Sequence, residues 1–187
     1  MHQQQLVPEP IILNYDDYCA MPDDGKRYEI LNGDLYMSPA PHWPHQRLVG
    51  NLFLSLVSHV DRNDLGRVIL SPFDVILDPH NIVQPDLIFV QKSRLSIITD
   101  RGIFDSPDLV IEILSPGTSA RDQRDKRNIY AQSRVPHYWM MDPVEPRVVE
   151  LQLSDKAYAL VKEVHGDEVF EPKLFPGLKI SLSDLVK

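Results

Sequence analysis

The sequence predicts a mixed α/β fold, α+β in arrangement, with a central mixed β-sheet flanked by helices and extra β-hairpins at both ends. Three observations carry this. Residues 86–90 (DLIFV) and 109–114 (LVIEIL) are near-continuous apolar runs, as in central strands covered on both faces. Residues 43–63 repeat apolar side chains at helical spacing. Shorter strand-like runs bounded by turn residues gather towards both ends of the chain.

The elements follow in order. Asn14 opens NYDDYCAMP as a helix cap. RYEILNGDLYMSP carries a hairpin signal, with Asn32-Gly33 between two strands. In the helix over 43–63, Val49, Leu52, Phe53, Leu56, Val57 and Val60 share a face, and Pro44 suits a first turn. Three strands follow, RVILS, FDVILD and PDLIFVQ, with a turn at Pro79, and then PDLVIEIL. TSARDQRDKRNIYAQS predicts a second helix capped by Thr118 or Ser119. PHYWMMD is a further strand, residues 147–173 read as antiparallel strands, and LSDLVK closes as a helical turn. The chain of 187 residues is long enough for one domain with a sizeable core, and its polar start, 1–13, is expected to be poorly ordered.

Composition narrows the function. With 43% hydrophobic and 25% charged residues the chain is an ordinary globular one. The single cysteine, Cys19, excludes an intrachain disulfide and a cysteine-rich zinc site, and it fits a reducing compartment. MHQQQLVPEP has no apolar signal core, and no run approaches the ~20 apolar residues of a membrane span, so no membrane partner is expected. A net charge of −8 argues against a basic nucleic-acid-binding surface. It leaves room for a nuclease, whose metal-binding carboxylates add to the negative count.

The chemistry centres on Glu112, which interrupts an apolar strand. A carboxylate buried there costs several kcal/mol unless something compensates it. Asp86 raises the same question at the head of its strand, directly after Pro85. If the two strands are neighbours, both carboxylates converge and offer hard oxygen ligands to Mg²⁺ or Mn²⁺; otherwise they are salt-bridged or edge acids. Asp108 also follows a proline, but four strand steps place it roughly 13 Å from Glu112, too far to share an ion.

On the second helix Asp122, Lys126, Ile129, Tyr130 and Ser133 share one face, and Arg124, Arg127 and Arg134 another. Lys126 faces inward beside Ile129 and Tyr130 and needs an acid: either Asp122, one turn earlier, or a site carboxylate such as Glu112. The three arginines either contact phosphates or form a solvated face. Glu29 is a third site carboxylate or a strand-face acid paired with Arg27 or Lys26. His45 contacts a phosphate or metal-held water, or caps its helix. Asp74 supports the site or lies on the polar face of an alternating strand. A histidine-based metallohydrolase built on His42, His45, His80 or His137 lacks any H-E-x-x-H pattern. No phosphate-cradling glycine loop and no nucleophile elbow is present.

Pro85-Asp86, a strand carrying Glu112 and a helix carrying Lys126 together resemble the PD-(D/E)XK nuclease superfamily, with its restriction-endonuclease-like fold. The similarity is closer to one branch, the Uma-two family of restriction endonucleases, also described as a domain of unknown function. Four stretches carry it: YEILNGDLYMSPAP, SPFDVIL with QPDLIFV, PDLVIEILSPGTSARDQRDKRNIYAQSRVPHYWMMDP, and FPGLKISLSDL. The resemblance implies a nuclease-like core of helix, three strands, helix and strand over about 43–143. It implies Mg²⁺- or Mn²⁺-dependent hydrolysis of phosphodiester bonds, in DNA, by a cytoplasmic homodimer. Asp86, Glu112 and the backbone carbonyl of Ile113 would hold the metal. Lys126 would orient the attacking water or stabilise charge on the phosphorane, with Asp122 and Tyr130 supporting it. One departure stands out. Leu114 occupies the position where the superfamily places its lysine, and the branch supplies that lysine from the next helix, here Lys126. A catalytically inactive nuclease fold used for binding or assembly is the alternative.

Overall fold

A computed structural model describes residues 11–115 and 122–187, with Asp122 and Gln123 described by backbone alone. The expected caps Thr118 and Ser119 lie outside the described residues. The chain begins with helix α1 (Tyr15–Cys19) and the hairpin β1 (Arg27–Leu31) and β2 (Asp34–Ser38). The long helix α2 (Trp43–Arg62) follows, then β3 (Gly66–Leu70), β4 (Val75–Asp78), β5 (Asn81–Val83) and β6 (Leu87–Gln91). A 3₁₀ segment (Lys92–Ile97), two short strands, β7 (Ile98–Thr99) and β8 (Gly102–Ile103), and then β9 (Leu109–Ile113) come next. After a π-helical turn (Asp122–Lys126) come α3 (Arg127–Gln132), β10 (His137–Asp142), β11 (Arg147–Ser154) and β12 (Ala157–His165). The strands β13 (Val169–Phe170) and β14 (Ile180–Ser181) and the turn α4 (Leu182–Leu185) end the chain.

Local chemistry explains these elements. Asn14 caps α1 by accepting from the N–H groups of Asp16 and Asp17, while Asp17 reaches back to the N–H of Asn14. Asn32 (φ 53°) and Gly33 (φ 84°) both take positive φ, the requirement of a tight hairpin whose twist matches its strands. Gly66 is fixed by contact: a Cβ there would lie 2.0 Å from the Val90 carbonyl oxygen.

The central sheet runs β12-β11-β10-β9-β6-β3, with β9 and β10 parallel and the other neighbours antiparallel. The expected core order of helix, strands, helix and strand is present as α2, then β3, β6 and β9, then α3 and β10. The β11–β12 hairpin extends this sheet at its C-terminal side. The N-terminal hairpin departs from the expectation of one sheet. It forms the edge of a second six-stranded sheet, ordered β2-β1-β5-β4-β8-β7. That sheet's strands are short and interleaved in sequence with those of the first. Asn81–Val83, which sits beside the Pro79 turn, carries too few residues to display a period.

Alternation along the central strands sends neighbouring residues to opposite layers. Leu87, Phe89, Ile111, Ile113, Trp139 and Met141 pack against Leu48, Leu52, Leu56 and Val60 of α2. Ile88, Val90, Val110, Tyr138 and Met140 pack against Ile129 and Tyr130 of α3 and Val75, Val83 and Ile103 of the second sheet. Leu52 is fully buried in the first layer, and its truncation to Ala would cost about 2–5 kcal/mol. Glu112 shares the parity of Val110, so the pleat directs it between the central sheet and α3. Among the described residues no helix is long and apolar enough to cross a membrane.

Candidate active site

β6 and β9 are antiparallel neighbours, with Leu87 opposite Ile111. One further step of that register sets Asp86 opposite Glu112, where paired Cβ atoms lie about 4.5–5.5 Å apart. Pro85 fits just before the strand, where no ladder N–H is required. The Asp86 Oδ2 accepts the N–H of Ile113 at 2.8 Å and meets His45 Nε2 at 3.1 Å. Ile113 thus meets Asp86 through its N–H, on the strand edge towards which the carbonyl of the same strand residue also points. The Asp86 Oδ1 takes no hydrogen bond among the described residues, and the carboxylate lines a small cleft with His45, Gln46, Arg27 and Ser71.

Glu112 has the compensation its burial demands. Its Oε1 accepts from Lys126 Nζ at 2.9 Å and from the Tyr130 hydroxyl at 2.6 Å. The same ammonium lies 2.9 Å from Glu29 Oε1. Glu29, Glu112 and Lys126 are 1%, 3% and 4% exposed, so one ammonium and two carboxylates share a site nearly without water. Glu29 is held further by the Gln84 N–H at 2.8 Å and the Ser38 hydroxyl at 3.3 Å. Burial first, then the charges of Glu112 and Glu29, raise the Tyr130 phenol well above the usual tyrosine range, so it stays a donor. Of the two partners open to Lys126, the structure provides the site carboxylates. The Asp122 side chain lies outside the described residues. For Glu29 the pairing with Lys26 or Arg27 does not form, because Lys26 pairs with Asp24 and Arg27 donates to the Ser71 hydroxyl.

Asp74 stands one layer back. It accepts from Gln84 Nε2 at 2.7 Å and from the Tyr18 hydroxyl at 2.9 Å. Burial, followed by the Asp74 charge, raises the Tyr18 phenol above its ordinary value. Gln84 thus joins Asp74 to Glu29, and Lys126 joins Glu29 to Glu112. Gln84, Ser38 and Arg27 were not singled out from sequence. Their polar side chains carry no pattern of their own, although Gln84 directly precedes Pro85-Asp86.

The arginines lie elsewhere. Arg124 is exposed and pairs with Asp125, Arg127 donates to the Tyr158 carbonyl, and Arg134 is exposed at a positive φ just past α3. Asp108 faces away from the site, bound to Gln91 and Arg94. His80 bonds the Leu13 carbonyl, and among the described residues no three acid, imidazole or thiol side chains converge to hold a metal. Two carboxylates on adjacent strands fit a hard cation that keeps several waters, the habit of Mg²⁺.

The geometry is a strand-edge aspartate and a buried glutamate on one mixed sheet, with an inward lysine from the turn into α3. A solved structure has a similar fold: a putative nuclease belonging to DUF820 from Anabaena variabilis ATCC 29413. It shares 20% identity and a TM-score of 0.77, with 93% of this chain and 97% of that one covered. No curated protein matches the chain. The sequence model of Uma2, described as "Putative restriction endonuclease", matches residues 15–183, and the chain belongs to that family.

Proposed function

We propose that this protein is a divalent-cation-dependent endonuclease that hydrolyses phosphodiester bonds of DNA, acting as a homodimer in the cytoplasm. The observation that carries the reading is the register that sets Asp86 opposite Glu112, with Lys126 on the Glu112 carboxylate. Asp86, through its open Oδ1, and Glu112 would hold Mg²⁺ or Mn²⁺, with the Ile113 carbonyl as a third ligand. Bound there, the cation supplies a Lewis acid that screens phosphate charge and acidifies water. His45 and the Ile113 N–H fix the Asp86 carboxylate. Lys126 orients the attacking water or stabilises charge developing on the phosphorane. Glu29 and Tyr130 hold Lys126 and Glu112 in place, and Asp74 steadies Glu29 through Gln84. Asp122 supports Lys126 from the preceding turn. Arg124, Arg127 and Arg134, on the outer side of α3, would meet phosphates flanking the cut.

One observation favours a second reading, a catalytically inactive nuclease fold used for binding or assembly. Lys126 already meets two buried carboxylates, so the cluster also reads as a structural ion network. Calorimetric titration with Mg²⁺ or Mn²⁺ of wild type and Glu112→Gln, followed by cleavage of single- and double-stranded DNA, separates the two. Metal binding lost in the variant, with cutting by wild type alone, supports the nuclease. Absence of metal binding, even with DNA present, moves the assignment to the inactive module.

A further inference from the structure

Among the described residues, five of the ten arginines meet a carboxylate or a carbonyl. Arg94 pairs with Asp105 and Asp108, Arg67 with Asp61, Arg147 with Glu163 and Arg124 with Asp125, and Arg127 donates to a carbonyl. Arg27 is one of the other five, and what sets it apart is its place beside the candidate site. It is half-buried on β1, two residues from Glu29 and on the same strand face, which sets their Cα atoms roughly 6.5 Å apart. Its one hydrogen bond among the described residues is from Nη1 to the Ser71 hydroxyl at 3.0 Å. A guanidinium has five N–H donors in a fixed fork, so most of its capacity is unused. The cleft it lines also contains Asp86, His45 and Gln46.

A second observation at the same cleft points to an anion. α2 is a 20-residue helix whose N-cap, His42, makes no side-chain capping bond. Pro41, His45 and Gln46 bring this uncapped, electropositive helix start to the cleft wall. In a chain of net charge −8, an arginine without an acid and an uncapped helix start beside Asp86 mark a position built for negative charge.

We propose that Arg27, with the start of α2 behind it, binds a backbone phosphodiester of the nucleic acid next to Asp86, and so seats the strand to be cut. This rests on the nuclease reading and adds to it a substrate-binding residue that contacts the backbone rather than the bases. Recognition here is independent of sequence. Ser71 orients the guanidinium, and because the Ser71 N–H donates to the Asp86 carbonyl at 3.1 Å, the phosphate seat and the carboxylate share one backbone support.

The test is fluorescence anisotropy of labelled DNA, single-stranded and duplex, and of labelled RNA, over a range of salt in EDTA. Wild type, Arg27→Gln and Arg27→Lys are compared. Arg27→Gln is expected to weaken binding roughly tenfold and to lower the slope of log K against log salt by about one. Arg27→Lys is expected to keep the slope while binding less tightly, since an ammonium lacks the fork. Should Arg27→Gln fail to fold, the lysine variant decides, and wild-type affinity in it overturns the proposal. Wild-type affinity and slope in Arg27→Gln overturn the proposal as well, and leave the nuclease reading intact if the wild type still cuts. A wild type that neither binds nor cuts DNA or RNA removes both.

Discussion

Lys126, on the turn into α3, lies 2.9 Å from Glu29 on β1 and 2.9 Å from Glu112 on β9, so one ammonium ties the two sheets together at the candidate site. Removing it takes the ammonium counter-charge from two buried carboxylates. Lys126→Met should cost about 3–5 kcal/mol in urea denaturation, the usual penalty for breaking a buried pair from one side. Adding Glu112→Gln to that variant should recover part of the loss, a coupling that a double-mutant cycle measures. If a divalent cation uses Glu112, Mn²⁺ should raise the melting temperature of Lys126→Met more than that of wild type. Equal shifts would separate the lysine network from any metal site.

Tyr130 donates to Glu112 at 2.6 Å, and its phenol is held well above the usual value by burial and by the two carboxylates. Tyr130→Phe keeps the ring and removes the donor, so it should cost about 1.5–3 kcal/mol, as for a hydrogen bond to a charged group. The sign of the pH effect follows from the raised value. Below about pH 10 both folded and unfolded states keep the phenolic proton. Above it the unfolded state loses the proton while the folded state retains it, so stability falls as pH rises. Tyr18 and Tyr158 are raised in the same direction, Tyr18 by burial and then Asp74, Tyr158 by burial. Stability measured from neutral to strongly alkaline pH should therefore drop steeply, and Tyr130→Phe should make that slope shallower by about 1.4 kcal/mol per pH unit.

His45 contacts Asp86 at 3.1 Å through Nε2, while its buried Nδ1 meets no partner among the described residues. It orients a proposed ligand without being one. His45→Ala should lower Mn²⁺ affinity about 10–100-fold, the usual cost of losing an outer-shell partner. Calorimetric titration reads this directly. Unchanged affinity would leave His45 as a packing residue at the start of α2.

The central strands, α2 and the Asn32-Gly33 turn were legible because each rests on a local pattern: an apolar run, a helical period, two residues that accept positive φ. Glu112 was legible for the same reason, as a charge that breaks its run. The second sheet was not, since β5, β7 and β8 are two or three residues long and owe their pairing to tertiary contacts. Glu29 was ambiguous because Lys26 and Arg27 stand beside it in sequence. Its partner, Lys126, is 97 residues away, and only the packing of α3 between the sheets brings them together. Gln84 gave no signal, since an amide that uses its backbone N–H for one carboxylate and its side chain for another looks like any polar residue before a strand.

Gly50 offers a test of the cleft that leaves its charges untouched. It sits within α2, lines the cleft beside Arg27 and Asp86, and is exposed; a Cβ built there meets nothing within 4 Å. Glycine inside a helix is unfavourable by roughly 0.5–1 kcal/mol relative to alanine. Gly50→Ala should therefore raise stability in urea by about that amount, with little change in DNA binding. Gly50→Leu keeps the helix propensity and extends a side chain from the cleft wall. Its stability should stay at or above wild type while DNA affinity falls in the anisotropy assay. The pair of variants separates space from charge: if the cleft seats the backbone, leucine blocks it where alanine does not. If both bind DNA like wild type, the strand lies elsewhere on the protein.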